Sequence, residues 1–209
     1  MKIAVVTNDG LKEELLLHGS DNTVTIEWTN DVTTVSENVQ ACIDLLFDTD
    51  RDKRKEILSL LRADIVIVND VLVTAEYLPS NFIRINGWPT FLKRNITEAS
   101  CNNESIKHKA AKVLGYFNKK IEWTPDVPGF ITPRVTSAII NEAFFSLQDK
   151  ISSREEIDTA MKLGTNYPYG PFEWGRLIGL QKVYSLLSIL SEKNSRYTTC
   201  DLLKKDVIF

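Results

Sequence analysis

The most chemically suggestive stretch is Asn86-Gly87-Trp88-Pro89-Thr90-Phe91-Leu92-Lys93-Arg94, followed four residues later by Glu98. A carboxylate and a carboxamide can hold or orient a polar group. Trp88 and Phe91 can line an apolar pocket, and Lys93 and Arg94 can meet a carboxylate or phosphate. The run follows the apolar stretch Phe82 to Ile85, so it is expected at the carboxyl end of a sheet strand, where open α/β sheets form their ligand crevice. A second reading, a loop packed against a helical domain, accounts for the same residues. The two histidines read as solvated side chains, His18 near the end of a helix and His108 in a Lys-rich one. Cys42, Cys101 and Cys200 are too far apart, and too far from any histidine, for metal-ligand spacing, so no metal site is expected and the thiols fit a reducing compartment.

The elements that must position these residues follow from periodicity. Ile3 to Val6 is a β-branched run that ends in the turn cluster Thr7-Asn8-Asp9-Gly10. Leu11, Leu15, Leu16 and Leu17 then recur at roughly helical spacing, with Gly19 as a stop. Thr23 to Trp28 predicts a second strand and Glu37 to Phe47 a helix. A charged patch, Asp48 to Lys55, leads through Ile57 and Leu61 to Ile65–Val68, whose unbroken apolar character fits a strand buried on both faces. Phe82 to Ile85 is a fourth strand candidate. Strands alternating with helices imply a largely parallel sheet. Past Thr124-Pro125 the pattern turns helical, around Val135 to Phe144, Ile157 to Met161, and Leu180 to Leu190. Ser153 and Glu156 are spaced as a capping box, Gly164 is placed to end that helix, and Pro171 suits a first helical turn. The boundaries predicted are 1–124 for the α/β domain and 125–209 for the helical one. The last long helix is apolar nearly all round, which favours a partner subunit beside it.

Composition narrows the function classes. The 25 basic and 28 acidic side chains are interspersed, leaving a net charge of −3 and no basic stripe, so neither nucleic acid nor a membrane surface is an expected partner. No apolar run approaches the length of a membrane span, and a cytoplasmic location is expected.

Several ordered segments of the second half carry a family resemblance. Asp126-Val127-Pro128-Gly129-Phe130-Ile131-Thr132-Pro133-Arg134 resembles the D-x-P-G-F-I-x-N-R signature that opens the second domain of 3-hydroxyacyl-CoA dehydrogenases, and Asn141-Glu142-Ala143 follows at the family's spacing. Ile157-Asp158-Thr159-Ala160-Met161 and Tyr167-Pro168-Tyr169-Gly170-Pro171-Phe172-Glu173 are similar to I-D-x-A-M and Y-P-M-G-P-F-E. Ile178-Gly179-Leu180 and the closing Arg196-Tyr197 with Leu202-Leu203 complete the series.

The resemblance implies an abbreviated Rossmann-like parallel sheet domain followed by an all-α domain that pairs into a homodimer. It implies an oxidoreductase in which NAD accepts a hydride from C3 of a 3-hydroxyacyl-CoA while a base removes the hydroxyl proton. Asn8, Asp9 and Gly10 stand where the family has its glycine fingerprint, and Asp31 where it has its ribose-binding acid. Asn86 stands at the family's catalytic His and Glu98 at the Glu that orients it; Trp88, Phe91, Lys93 and Arg94 are the candidate substrate contacts. The departures are chemical. The fingerprint is absent, Asp9 brings a negative charge toward a diphosphate, Asn86 has no basic nitrogen, and Pro133 replaces a substrate-binding Asn. They support a second reading, a non-catalytic descendant that binds acyl-CoA or a small carboxylate, and a third, a scaffold subunit.

Overall fold

The computed structural model describes Met1 to Ile208, in two compact units, Met1–Phe130 and Ile131–Phe209. The first is a seven-stranded sheet in the order β2-β1-β3-β4-β5-β6-β7. Its strands are β1 (Lys2–Val6), β2 (Thr25–Thr29), β3 (Ala41–Asp44), β4 (Ile65–Asn69), β5 (Phe82–Ile85), β6 (Ile96–Ser100) and β7 (Lys120–Trp123), with helices α1 (Asp9–Leu16), α2 (Arg51–Ser59) and α3 (Lys107–Gly115) between them. All pairings are parallel except β5 with β6.

Alternation along each strand divides the core into two faces. Ile3, Val5, Ile43, Ile67 and Ile83 point toward Leu11 and Leu15 of α1 and Val113 and Leu114 of α3. Ala4, Val6, Cys42, Val66, Val68 and Phe82 point toward Phe47 and Leu58 on the opposite side. The unit is the Rossmann-like sheet that the resemblance implied, and its abbreviation lies beyond β2. Where the full fold places a third strand there, the chain returns from β2 to β3 through only a short 3₁₀ turn at Val32–Thr34.

The helix expected over Glu37 to Phe47 is instead strand β3. Ala41-Cys42-Ile43-Asp44 is wholly buried between β1 and β4, and such an apolar run without alternation cannot be told from a buried helix by periodicity alone. The charged patch opens α2. Strands β6 and β7 carry too little apolar alternation to stand out as sequence; pairing of β6 with β5 and of β7 with β6 makes them strands.

The second unit is helical: α4 (Thr132–Gln148), α5 (Arg154–Thr165), α6 (Pro171–Ile178), α7 (Leu180–Ser191) and α8 (Asp201–Ile208). The Ser153–Glu156 capping box forms, and Pro171 opens α6. Gly164 does not end α5; the helix runs one residue past it, and Asn166 supplies the left-handed cap at φ 56°. Val183, Leu186, Leu187 and Leu190 of α7 are buried within the unit, whereas α5 buries no residue fully. No helix among the described residues is long and apolar enough to cross a membrane.

Candidate functional site

Asn86 follows the last residue of β5, and the antiparallel register Arg84↔Ser100, Ile85↔Ala99 brings Glu98 directly opposite it. The backbone N–H of Asn86 donates to the Glu98 carbonyl at 3.0 Å, and its Nδ2 donates to Glu98 Oε2 at 3.0 Å. Both side chains are buried. The structure thus joins the two residues predicted at the catalytic positions.

Asn69, at the end of β4, fixes the next residue of the loop. Its Oδ1 accepts from Gly87 N–H at 3.0 Å while its Nδ2 donates to the Leu45 carbonyl at 3.1 Å. A Cβ at position 87 would lie 2.9 Å from Asn69 Cβ and Cγ, so only glycine allows this approach. Beyond it Trp88 and Phe91 are 1% and 3% exposed, which makes them part of the interior of the unit as it stands. Lys93 and Arg94 are exposed, and the Arg94 guanidinium lies 5.4 Å from the Phe91 ring centroid. His18, read as solvated, is exposed, and its Nε2 makes a 2.8 Å hydrogen bond with the Lys93 carbonyl.

Beneath this loop a group of buried charges braces the carboxyl edge of the sheet. Arg84, wholly buried in β5, donates through Nε to Asp126 Oδ1 at 2.7 Å and through its terminal nitrogens to the Asp70 and Val127 carbonyls at 3.2 and 2.6 Å. Phe130 stacks 4.2 Å from the guanidinium. Asp126, the first residue of the signature segment, also accepts from Ala75 N–H. On the neighbouring strands Asp44 pairs with Arg54 at 3.0 and 2.9 Å, and Asp70 with Arg51 at 2.7 Å. Burial pushes Asp44 up to about 6, and raises Asp70, despite the guanidinium beside each. Apart from Asp126, which opens the signature segment, none of these charged residues was singled out from sequence. The available signal was a charge inside an otherwise apolar strand, as in Phe82-Ile83-Arg84-Ile85 and Ala41-Cys42-Ile43-Asp44.

Two of the nucleotide-binding residues expected at the β1–α1 turn, Asn8 and Asp9, line a separate crevice of about 370 Å³, whose walls also include Thr7, Lys12, Trp28 and Asn30. Asn8 caps α1, its side chain accepting from Leu11 N–H at 2.9 Å, so the carboxamide already engages one of the helix-end donors that a diphosphate would use. Asp9 adds negative charge in the first turn, partly offset by Lys12, whose ammonium sits 4.7 Å over Trp28. A Cβ on Gly10 would meet nothing closer than 3.7 Å, so no tight cradle requires glycine there. Asp31 lies two residues past β2, exposed, and its carboxylate accepts from the N–H and hydroxyl of Thr33. In position and size the crevice suits the nucleoside end of a dinucleotide; its turn does not fit the diphosphate.

In the helical unit the signature residues build a joint between helices. Asp158 of α5 accepts from the N–H groups of Phe172 and Glu173 at 2.8 and 3.0 Å, which caps the N-terminus of α6 from outside. Gly170 makes room for it, since a Cβ there would stand 2.3 Å from Asp158 Cγ. Beside the joint is a groove of about 760 Å³ whose lining includes Phe144, Arg154, Asp158, Phe172 and Arg176.

Residues 129–208 match the model of the 3-hydroxyacyl-CoA dehydrogenase C-terminal domain. The chain is 40% identical over 112 residues to 3-hydroxyadipyl-CoA dehydrogenase of Escherichia coli K12, covering 53% of this chain and 24% of that protein. It is 32% identical over 184 residues to 3-hydroxybutyryl-CoA dehydrogenase of Bradyrhizobium diazoefficiens, covering 79% of this chain and 61% of that protein. The second alignment is longer than the helical unit, so the likeness extends well into the sheet. The crystal structure of (S)-3-hydroxybutyryl-CoA dehydrogenase from Ralstonia eutropha superposes with a TM-score of 0.73 over 99% of this chain and 93% of that one, at 17% identity, a likeness of fold. The chain therefore spans about a quarter to three fifths of the length of these two curated relatives. Residues 129–208 thus form a 3-hydroxyacyl-CoA dehydrogenase C-terminal domain, and the chain as a whole is similar to proteins of that family in sequence and in fold.

Proposed function

We propose that the protein is a 3-hydroxyacyl-CoA dehydrogenase-like oxidoreductase that acts at C3 of an acyl-CoA thioester. The observation that carries this reading is the Asn86–Glu98 hydrogen bond at the carboxyl end of β5, between the two residues that the sequence resemblance sets against the family's His and Glu. The hydride acceptor implied by the family is NAD, whose diphosphate the β1–α1 turn does not fit. The chain's own residues can hold and orient a substrate. The Asn86 carboxamide can donate to an oxygen at C3 while Glu98 fixes its rotamer, and Lys93 and Arg94 are exposed for the anionic groups of CoA. Asn86 cannot take a proton, so the hydroxyl proton must leave to another acceptor.

That feature favours a second reading, a non-catalytic protein that binds acyl-CoA or a small carboxylate on the same loop. For either reading we propose a cytoplasmic homodimer formed through the helical unit. Its support is the surface of α5, which buries no residue fully and leaves Leu163 82% exposed.

Calorimetric titration with NAD, NADH and acetoacetyl-CoA, with NADH oxidation followed on the same sample, tests the pair. Nucleotide binding with turnover supports the oxidoreductase. Binding of acetoacetyl-CoA without nucleotide binding supports the second reading, and silence from all three sinks both.

A further inference from the structure

Asn86 and Glu98 sit at the two roots of one loop, Gly87 to Asn95, and that loop is held from outside by side chains to which the mechanism gives no part. Glu14, on α1, accepts the backbone N–H of Thr90 with both carboxylate oxygens, at 2.9 and 2.8 Å. Lys119, just before β7 and 3% exposed, donates to the Leu92 carbonyl and, at 2.7 Å, to the Arg94 carbonyl. The two side chains therefore grip peptide groups on opposite sides of the loop's tip, and their opposite charges attract.

Such a grip has something to hold. Thr90 has φ 78°, a left-handed conformation that a β-branched residue adopts only at a cost of about 1–3 kcal/mol, so the surrounding structure must impose it. A carboxylate that accepts the Thr90 N–H with both oxygens supplies that constraint. Lys119 spends a nearly buried ammonium on two backbone carbonyls, an expensive use of a charge unless the loop must stay in one place.

We infer that Glu14 and Lys119 are positioning residues for the Asn86–Glu98 site, clamping the β5–β6 loop at Thr90, Leu92 and Arg94 so that the Asn86 carboxamide stays on Glu98. The inference rests on the reading of that pair as the substrate-facing site, but its physical core, the coupling of the clamp to the Asn86 side chain, can be measured without any ligand.

The experiment follows the full-length ¹⁵N-labelled protein by nuclear magnetic resonance, with wild type compared to Glu14→Ala, Glu14→Gln and Lys119→Met. The readouts are amide exchange at Thr90 and the side-chain carboxamide resonances of Asn86. Glu14→Ala should speed Thr90 exchange about tenfold or more, as expected for loss of a charge-assisted hydrogen bond, and move the Asn86 carboxamide toward its solvent-exposed shifts. Lys119→Met should move the same Asn86 resonances. Glu14→Gln, which keeps an acceptor without the charge, should restore both signals, a rescue that a purely electrostatic role would not give. If Glu14→Ala does not fold, the Lys119→Met and Glu14→Gln spectra decide alone. Unchanged Asn86 resonances in folded Glu14→Ala or Lys119→Met protein would overturn the inference. Acetoacetyl-CoA titration of the same samples separates the two claims: a moved Asn86 signal with no ligand binding in any sample keeps the clamp and sinks the proposed function.

Discussion

Asn86 Nδ2 lies 3.0 Å from Glu98 Oε2, with both side chains buried at the junction of β5 and β6. The antiparallel pairing makes this contact unavoidable, because Asn86 N–H is already bonded to the Glu98 carbonyl in the sheet ladder. A proton acceptor at position 86 would therefore face Glu98 across the ladder.

Asn86→His supplies that acceptor. If the proposed chemistry is right, NADH oxidation with acetoacetyl-CoA should rise by about 10²–10⁴-fold, the usual contribution of a positioned general acid–base. A folded variant with unchanged activity would mean that the β1–α1 turn, and not the missing base, limits the reaction.

Arg84 ties β5 to the segment that carries the family signature. Arg84→Met should cost about 3–5 kcal/mol in urea unfolding, since it strands Asp126 and removes donors from the Asp70 and Val127 carbonyls. Arg84→Lys should recover only part of this, because one ammonium cannot reach three acceptors in the plane of a guanidinium. Equal stability of Arg84→Lys and wild type would contradict the role assigned to the fork.

Asp44 sets an expected pH dependence. Its folded value is raised by burial from 3.8 to about 6, so the folded state holds this proton more tightly than the unfolded chain. The stability it contributes is fully present below pH 3.8 and is lost as pH rises through about 6, a change of about 2–3 kcal/mol at most. Asp44→Asn should flatten the stability profile over that window. Arg54→Met should cost about 3–5 kcal/mol at neutral pH and distinctly less near pH 4, where Asp44 is neutral and no longer needs its partner. Denaturant midpoints across this range decide both.

The Asp158–Gly170 joint predicts a non-additive pair. Gly170→Ala forces a Cβ to within 2.3 Å of Asp158 Cγ and should destabilise by about 1–3 kcal/mol. Asp158→Ala removes the cap of α6, at about 0.5–2 kcal/mol. The double variant should lose less than the two together, since removing the carboxylate also removes the clash. Additive thermal shifts would show that the two residues do not meet.

Local chemistry made much of this protein legible as sequence. Ile65 to Val68 read as the best candidate for a strand buried on both faces, Ser153 and Glu156 could form their capping box from three residues' spacing, and Pro171 opened a helix because it needs no N–H there. The ordered signature from Asp126 onward identified the helical unit. What needed the tertiary structure were the properties that depend on neighbours distant in the chain. Ala41–Asp44 is a strand because β1 and β4 flank it; its composition alone suited a helix equally well. Asn86 and Glu98 meet because β6 runs antiparallel to β5, and a strand's direction is not written in its own residues. The grips of Glu14 on Thr90, Lys119 on Leu92 and Arg94, and Arg84 on Asp126 join segments from 25 to 76 residues apart. A charged side chain reads as solvent-facing until the fold removes water from it, and only that burial turns an ordinary Glu, Lys or Arg into a structural contact.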